Sequence, residues 1–345
     1  MTSLMWCGTI VFVLVSITKR TGIFQFVTIR AAKLAKGRPY RILITLNVVT
    51  AAFSMVLDTV TTVLILAPVA LLLAEEMELD PRPFIITMAI SANFGGTATM
   101  IGDPPNIMIG SNAHLSFIDF VNVNLPVVIF IMILYCGFLS IYFKNRMKIT
   151  NETEARILDL DESKSITDVP LLIKSLVVLF LVIISLTLHR QLDLPPATIA
   201  LAGGFLLVLL ADHHRIDHFL QEIEWGTIFF FIGLFIMIQG LVELGVIKII
   251  ANGFLTLTAG NMMVTTLLML WFAGILSAFI DNIPLGACIG GNGTLIGASA
   301  NVVSAGLAKK SGFSISFMDF LVYGAPTILL ALLICTGYLF LRFFL

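Results

Sequence analysis

The sequence predicts an all-α polytopic membrane protein. Hydrophobic residues make up 58% of its 345 residues and charged residues only 12%, whereas a soluble domain carries roughly 25% charge. The mean hydropathy is +1.03. The 20 Lys and Arg residues are balanced by 21 Asp and Glu residues, so there is no basic excess for nucleic acid. These values exclude a soluble enzyme and a nucleic-acid binder, and they predict an integral, multi-pass protein in a lipid bilayer.

Several apolar runs are close to the roughly 20 residues that a helix needs to cross a bilayer. The predicted spans are 1–18, 121–143, 171–189, 197–211, 225–245 and 320–341. Basic residues cluster in 19–41 and at the start of 144–170, so both loops are predicted to face the cytoplasm. The loop 246–261 has a single basic residue, Lys248, and is predicted to lie on the opposite face.

Three further apolar regions are interrupted by residues that break or polarise a membrane helix. Region 40–74 is too long for one crossing, and it is predicted to form two half-length arms that meet at Asp58. Non-helical backbone survives at membrane depth only where protein or a watery cavity satisfies it, so such breaks indicate a binding site. The other interrupted regions are 84–111, broken by Gly95-Gly96, Gly102 and Pro104-Pro105, and 262–308, broken by Asp281–Pro284 and then by Gly290–Gly293.

The second half of the chain repeats motifs of the first half. Asp58 aligns with Asp281 at an offset of 223 residues, and Gly95 aligns with Gly290 at an offset of 195. A third block beginning at Ser116 recurs at an offset of 200. Equivalent loops differ in basic charge, so the two halves are predicted to run in opposite directions as inverted repeats.

The fall in offset from 223 to 195 means that the second repeat lacks 28 residues after Pro284. We expect residues 262–308 to form one nearly continuous kinked crossing, and we expect the gap to weaken or abolish transport. Two spans precede the second repeat and none precedes the first, so we expect the chain to be shortened at its N-terminus as well. The predicted organisation is a first inverted repeat (1–143), a flexible cytoplasmic linker (144–170) and an incomplete second repeat with two extra leading spans (171–345).

Asp58 and Asp281 are the only ionisable residues deep inside the long apolar runs. A carboxylate at that depth is costly and suggests function, either as a ligand of Na⁺ or as a proton carrier; the alternative is a helix cap. Nearby hydroxyls and amides could bind ions or hold helices together, and the glycine pairs could expose backbone or allow close packing. The other candidate ion- and substrate-binding residues are Thr59, Thr61, Thr62, Asn93, Gly95, Gly96, Thr97, Asn106, Asn282, Gly290, Gly291, Asn292, Thr294 and Asn301.

At the stretches Ser91–Asn106 and Gly290–Asn301 the sequence resembles the ion transporter superfamily. The resemblance is greatest to citrate-transporter-like members of its arsenite permease and melanosomal P protein group. It implies two inverted repeats, each with a re-entrant hairpin and a broken helix. It also implies that coupling cations and charged substrate groups bind at the hairpin tips, here Asp58–Thr62 and Asp281–Pro284. The family often has Asn where this chain has Thr59.

The resemblance implies a secondary active transporter that moves a small anion, a carboxylate or an arsenite-like oxyanion, by Na⁺- or H⁺-coupled alternating access. A sodium/proton antiporter of the same superfamily and a truncated, non-transporting membrane protein remain alternatives. The chain contains no GxSxG or HExxH motif and is not expected to be an enzyme. We expect no cofactor and no metal site other than Na⁺ at Asp58 and Asp281. The sequence is compatible with a homodimer. It is also compatible with a separate ATPase subunit, although no motif indicates one.

Overall fold

The computed structural model describes residues 17–18, 20–35, 38–103, 106, 110, 115–147, 149, 162–188, 191, 194, 196–211, 233, 236, 239–240, 243–259, 261–277 and 289–343. Nearly all of the predicted span 1–18 and most of 225–245 lie outside this part of the chain. The same is true of the second hairpin tip, with Asp281 and Asn282. The described residues form helices joined by short turns, which is the arrangement that satisfies backbone groups within a bilayer.

The described residues of the first half form five α-helices of ten or more residues. Proline begins α2 at its first turn, where the missing N–H leaves no hydrogen bond unmade. A capping box between Ser116 and Asp119 begins α5. The helices are α1 (Ile23–Leu34), α2 (Pro39–Ser54), α3 (Thr59–Glu76), α4 (Arg82–Thr97) and α5 (Phe117–Phe143).

The second half follows the short 3₁₀ turn Glu162–Ser165, and its described residues form a further six α-helices of ten or more residues. Another 3₁₀ turn, Gly291–Gly293, precedes α10. The helices are α6 (Val169–Thr187), α7 (Pro196–Ala211), α8 (Val246–Leu257), α9 (Met262–Ser277), α10 (Ser299–Lys310) and α11 (Phe317–Phe343).

Among the described residues, α3, α5, α6 and α11 are long and apolar enough to cross a membrane. This confirms the spans predicted at 121–143, 171–189 and 320–341. The arms around Asp58 are longer than predicted: α2 has 16 residues and α3 has 18. A half-crossing of about 15 Å needs only about ten helical residues. Both arms continue because their apolar runs contain no break before Ser54 or after Asp58, apart from Pro68 inside α3.

Helix α4 occupies the centre of the molecule. Every residue from Phe84 to Thr97 is buried, as expected of a helix that is apolar on all sides. It packs against α2, α3 and α5 of its own half and against α10 of the second half. The helix therefore ends at Thr97 in a region where both halves of the chain meet.

The end of the linker, residues 162–168, lies against the residues that precede α1. The Thr167 backbone N–H donates to the Thr21 carbonyl at 3.1 Å, and Thr167 Oγ1 donates to the Arg20 carbonyl at 2.5 Å. Gly22 has φ +77°, and a Cβ there would clash with the Ser165 carbonyl oxygen. These backbone hydrogen bonds hold the segment in place despite its polar composition.

Local geometry recurs in both halves at the offsets seen in the sequence. A glycine with positive φ precedes α1 (Gly22) and α8 (Gly245), at an offset of 223. The hydrogen bonds between Ser116 and Asp119 recur between Ser316 and Asp319, at an offset of 200. At these two places, equivalent positions of the sequence repeat have the same local backbone conformation.

Candidate functional site

The first hairpin tip is the turn between α2 and α3, and Asp58 is the N-cap of α3. Its Oδ1 accepts hydrogen bonds from the backbone N–H of Val60 at 2.9 Å and of Thr61 at 3.0 Å. These two N–H groups belong to the first turn of the helix and have no partner within it. The capping role considered for Asp58 is therefore correct for one of its two carboxylate oxygens.

The second carboxylate oxygen lies beside two hydroxyl groups of the same helical turn. Asp58, Thr61 and Thr62 are buried and are spaced i, i+3 and i+4, which places them on one face of α3. Within the described part of the chain, Asp58 Oδ2, Thr61 Oγ1 and Thr62 Oγ1 have no hydrogen-bond partner. Unpaired buried polar atoms are rare in folded proteins and suggest an unrecorded ligand. Three such oxygens suit a small hard cation or a proton.

The predicted break in region 84–111 begins just after its glycine pair. Gly95 and Gly96 lie in the last turn of α4, and the irregular segment is 98–103. A Cβ on Gly95 would clash with the Ala51 carbonyl oxygen, and one on Gly96 would contact Thr59 Cγ2 at 2.5 Å. Both glycines therefore allow the hairpin to approach α4 closely, which is the packing role that the sequence left as the alternative.

The same close approach occurs in the second half. A Cβ on Gly290 would clash with the carbonyl oxygen of Gly274 in α9, and one on Gly291 would lie 2.6 Å from the Gly297 carbonyl oxygen. In one continuous helical crossing, Gly274 and Gly290 would be about 24 Å apart. The prediction of a single kinked crossing over 262–308 is therefore wrong, because the chain returns to α9 by residue 290.

Two asparagines hold the irregular segments in place. Asn106 Nδ2 donates to the carbonyls of Gly96 and Thr99, both at 2.9 Å. Asn301 Nδ2 donates to the carbonyls of Gly291 and Thr294 at 2.8 and 2.9 Å. The asparagine amides therefore satisfy buried backbone carbonyls in the irregular segments, where helical hydrogen bonding is interrupted.

A third asparagine joins the two halves. Asn93, in α4, donates through Nδ2 to Asn292 Oδ1 at 2.8 Å and to Asn301 Oδ1 at 3.0 Å. All three side chains are buried. This cluster lies one turn from Gly96, which contacts the hairpin tip through Thr59. The last two turns of α4 therefore have the first hairpin tip on one side and the second repeat on another.

The remaining predicted site residues have more ordinary positions. Thr97 Oγ1 donates to the Asn93 carbonyl of its own helix at 2.8 Å. Thr294 contributes its carbonyl to Asn301. Thr99, a candidate contact by its place after the glycine pair, donates through Oγ1 to the Met55 carbonyl at 2.6 Å. The sequence analysis missed one buried hydroxyl that fastens the tip to α4: Ser54 Oγ donates to the Ala92 carbonyl at 2.6 Å. Ser54 is a small polar residue in an apolar run, which is the signal that could have identified it.

The described residues contain no cluster of three or more His, Cys, Asp or Glu side chains that could bind a metal ion. A sodium site does not require such a cluster, because neutral hydroxyl and carbonyl oxygens with one carboxylate are sufficient. The unpaired oxygens of α3 meet that description.

Comparison with known proteins identifies relatives of the chain. The family model described as "Citrate transporter" matches residues 9–287. The chain is 37% identical over 364 positions to an uncharacterized transporter of Mycobacterium bovis, covering 96% of the chain and 84% of the relative. A 46 kDa membrane protein of Mycobacterium leprae is also 37% identical, with the same coverage. The human P protein is 29% identical over 435 positions, and the chain spans 52% of its length.

The alignment to the M. bovis transporter spans more positions than the chain has residues. The relative therefore has residues within the aligned region that this chain lacks. The family match also ends at residue 287, three residues after Pro284. The match covers more than half of the chain, and the chain therefore belongs to the citrate transporter family, whose members are multi-pass integral membrane proteins.

Proposed function

We propose that this protein is a secondary active transporter in which a cation, Na⁺ or H⁺, binds at Asp58 and drives the movement of a small carboxylate anion. The observation that carries the proposal is a group of three buried oxygens at the N-terminus of α3 that have no hydrogen-bond partner among the described residues: Asp58 Oδ2, Thr61 Oγ1 and Thr62 Oγ1. The family match and the relatives named as transporters support the transport of a small anion.

The electrostatics of the tip favour cation binding. A buried carboxylate is costly, and it is tolerated where it is paired with opposite charge or fully hydrogen-bonded. At Asp58 only one oxygen is satisfied by the helix N-terminus. A bound Na⁺ or proton would neutralise the carboxylate and satisfy the second oxygen. The free-energy cost of moving the site between the two sides of the bilayer is then smaller than it would be for a charged carboxylate.

Alternating access would involve a movement of the first half against the second. The two halves meet at the asparagine cluster, where Asn93 of α4 contacts Asn292 and Asn301. Inverted-repeat transporters place substrate between their repeats and expose it to each side in turn. Because α4 also packs against the hairpin tip, cation binding at Asp58 would be linked to the position of α4.

The test is uptake of radiolabelled citrate into liposomes containing the purified chain. We expect uptake to require an inward Na⁺ gradient or an inward H⁺ gradient, and comparing the two gradients identifies the coupling cation. Asp58→Asn keeps the cap but removes the charge, so it should abolish the dependence on the gradient. The matched control is Asp168→Asn, because Asp168 caps α6 in an exposed position by accepting from the Leu171 N–H at 2.9 Å.

Two results would overturn the proposal. One is the absence of citrate uptake with either gradient by protein that is folded in the liposomes. The other is an Asp58→Asn protein whose uptake depends on the gradient as strongly as that of the wild type.

A further inference from the structure

The orientation of the Asn292 side chain follows from hydrogen bonds that begin at Asn301. Asn301 Nδ2 faces the carbonyls of Gly291 and Thr294. Carbonyl oxygens only accept hydrogen bonds, so the amide nitrogen of Asn301 must face them and its Oδ1 must face Asn93. Asn93 then presents its NH₂ group both to Asn301 and to Asn292. The oxygen of Asn292 is therefore the atom that faces Asn93.

The NH₂ group of Asn292 is consequently directed away from Asn93. It has no hydrogen-bond acceptor in the part of the chain that the structure describes, and the side chain is fully buried. The backbone there is also held firmly, because a Cβ on Gly324 of α11 would clash with the carbonyl oxygen of Asn292. A buried amide donor that cannot relax or turn favours an acceptor supplied by a ligand.

We propose that Asn292 Nδ2 donates a hydrogen bond to a carboxylate oxygen of the transported anion, and that Asn93 is the positioning residue that keeps this NH₂ group directed at the anion. The inference rests on the proposed function and adds the anion contact to it. An NH₂ group only donates, so it suits an anion and not a cation. An isolated buried donor also selects strongly for a ligand that can accept from it.

The two repeats make this contact together. The donor belongs to the turn Gly291–Gly293 of the second half, and the residue that orients it belongs to α4 of the first half. The same helix α4 contacts the cation-binding tip through Gly96 and Thr59. The anion contact therefore depends on α4 being docked against the second repeat.

The experiment measures saturable binding of [¹⁴C]citrate and of ²²Na⁺ to the full chain in lipid nanodiscs. Asn292→Ala and Asn292→Asp should weaken citrate binding about 10- to 100-fold, the loss expected for one hydrogen bond to a charged group. The aspartate should have the larger effect because it repels the anion. Binding of ²²Na⁺ in the absence of citrate should not change, which shows that the variants are folded.

A double-mutant cycle tests the positioning role of Asn93. Asn93→Ala should weaken citrate binding, and Asn93→Ala with Asn292→Ala should bind citrate no more weakly than Asn292→Ala alone, because Asn93 acts through Asn292. The matched control is Asn47→Ala, which removes another buried amide of the first half. Asn47 donates to the Leu43 carbonyl and to Thr87 Oγ1, away from the cluster. This variant should melt at a lower temperature and keep its citrate affinity.

Three results would overturn the inference: no saturable citrate binding by the wild-type chain, wild-type citrate affinity in Asn292→Ala, or additive losses in the double variant. Joint loss of citrate and ²²Na⁺ binding in both Asn292 variants would assign Asn292 a structural role and would also overturn it. Failure of the proposed cation coupling can be distinguished from failure of this inference. Citrate uptake would then be independent of Na⁺ and H⁺, while citrate binding would still require Asn292.

Discussion

Gly290 lies directly against the backbone of Gly274 in α9, as Gly95 lies against Ala51 in α2. Ala51 and Gly274 are themselves related by the offset of 223 residues that relates Asp58 to Asp281. In the first half 43 residues separate the contacting pair, and in the second half only 15 do. The same backbone contact is therefore made in both repeats although the second has a much shorter connection.

The first prediction concerns this contact. Gly95→Ala and Gly290→Ala should each lower stability by about 1–3 kcal/mol or more, because the new Cβ would meet a backbone oxygen that cannot easily move. Thermal unfolding in detergent measures the effect. Gly137→Ala and Gly337→Ala are matched controls: both lie in helices with no atom within 4 Å of an added Cβ. These controls should be neutral or slightly stabilising, and an equal loss in all four variants would contradict the prediction.

The second prediction separates stability from cation binding at the hairpin tip. Thr62→Val keeps the shape of a fully buried side chain whose hydroxyl has no partner among the described residues. Without cation, the variant should be as stable as the wild type or more stable by about 1 kcal/mol, since no hydrogen bond is lost. Its affinity for ²²Na⁺ should fall if Na⁺ is the coupling ion.

Thr50→Val is the control for Thr62→Val. Thr50 is equally buried, but its Oγ1 donates to the Leu46 carbonyl at 2.7 Å. This variant should lose stability and keep its cation affinity. A Thr62→Val protein that is destabilised as much as Thr50→Val would show that the Thr62 hydroxyl has a structural partner.

The third prediction concerns topology. Arg30 of α1 and Asn252 of α8 are exposed and occupy corresponding helices of the two repeats. Single cysteines at these positions, in a background without other cysteines, should react with a membrane-impermeant thiol reagent from opposite sides of the membrane. The positive-inside bias predicts that position 30 is cytoplasmic. Reaction of both positions from the same side would refute the inverted repeat.

The fourth prediction concerns the shorter second repeat. Helix α3 connects the Asp58 tip to α4 in the first half, and the second half has 28 fewer residues in the equivalent stretch. We expect citrate uptake by this chain to be slow, because the stretch from Asp281 to Gly290 is 28 residues shorter than the equivalent stretch of the first repeat. Insertion after Pro284 of about 28 residues, copied from the aligned M. bovis relative, should raise the rate of uptake at least about tenfold. Equal rates for the two proteins in liposomes would contradict this expectation.

Much of the fold was predictable because it depends on local properties of the chain. Hydropathy predicts α5, α6 and α11 to within a few residues, since a helix in a bilayer must satisfy its own backbone. Asp58 was recognisable as a helix cap because capping is a relation between residues two and three apart. The repeat was visible because motifs such as Ser116–Asp119 keep their spacing when they recur.

The predictions that the sequence could not make correctly depend on which segments of the chain pack against each other. The sequence could not tell whether Gly95 and Gly290 expose backbone to a ligand or allow another backbone to approach. That choice depends on the positions of α2 and α9, many residues away. The same limit applies to the expected kinked crossing, since a count of helical rise gives the reach of a segment but not its direction.

The sequence by itself therefore determined the membrane class, the two breaks, the repeat and the acidic residue at the first tip. Only the tertiary structure decided that one Asp58 oxygen caps a helix while the other is unpaired, and that Asn93 bonds to Asn292 and Asn301 across separations of 199 and 208 residues. The physical reason is that caps, periodicity and hydropathy act over a few residues. Hydrogen bonds between distant amides, and the absence of a partner for a buried atom, exist only after the helices have packed.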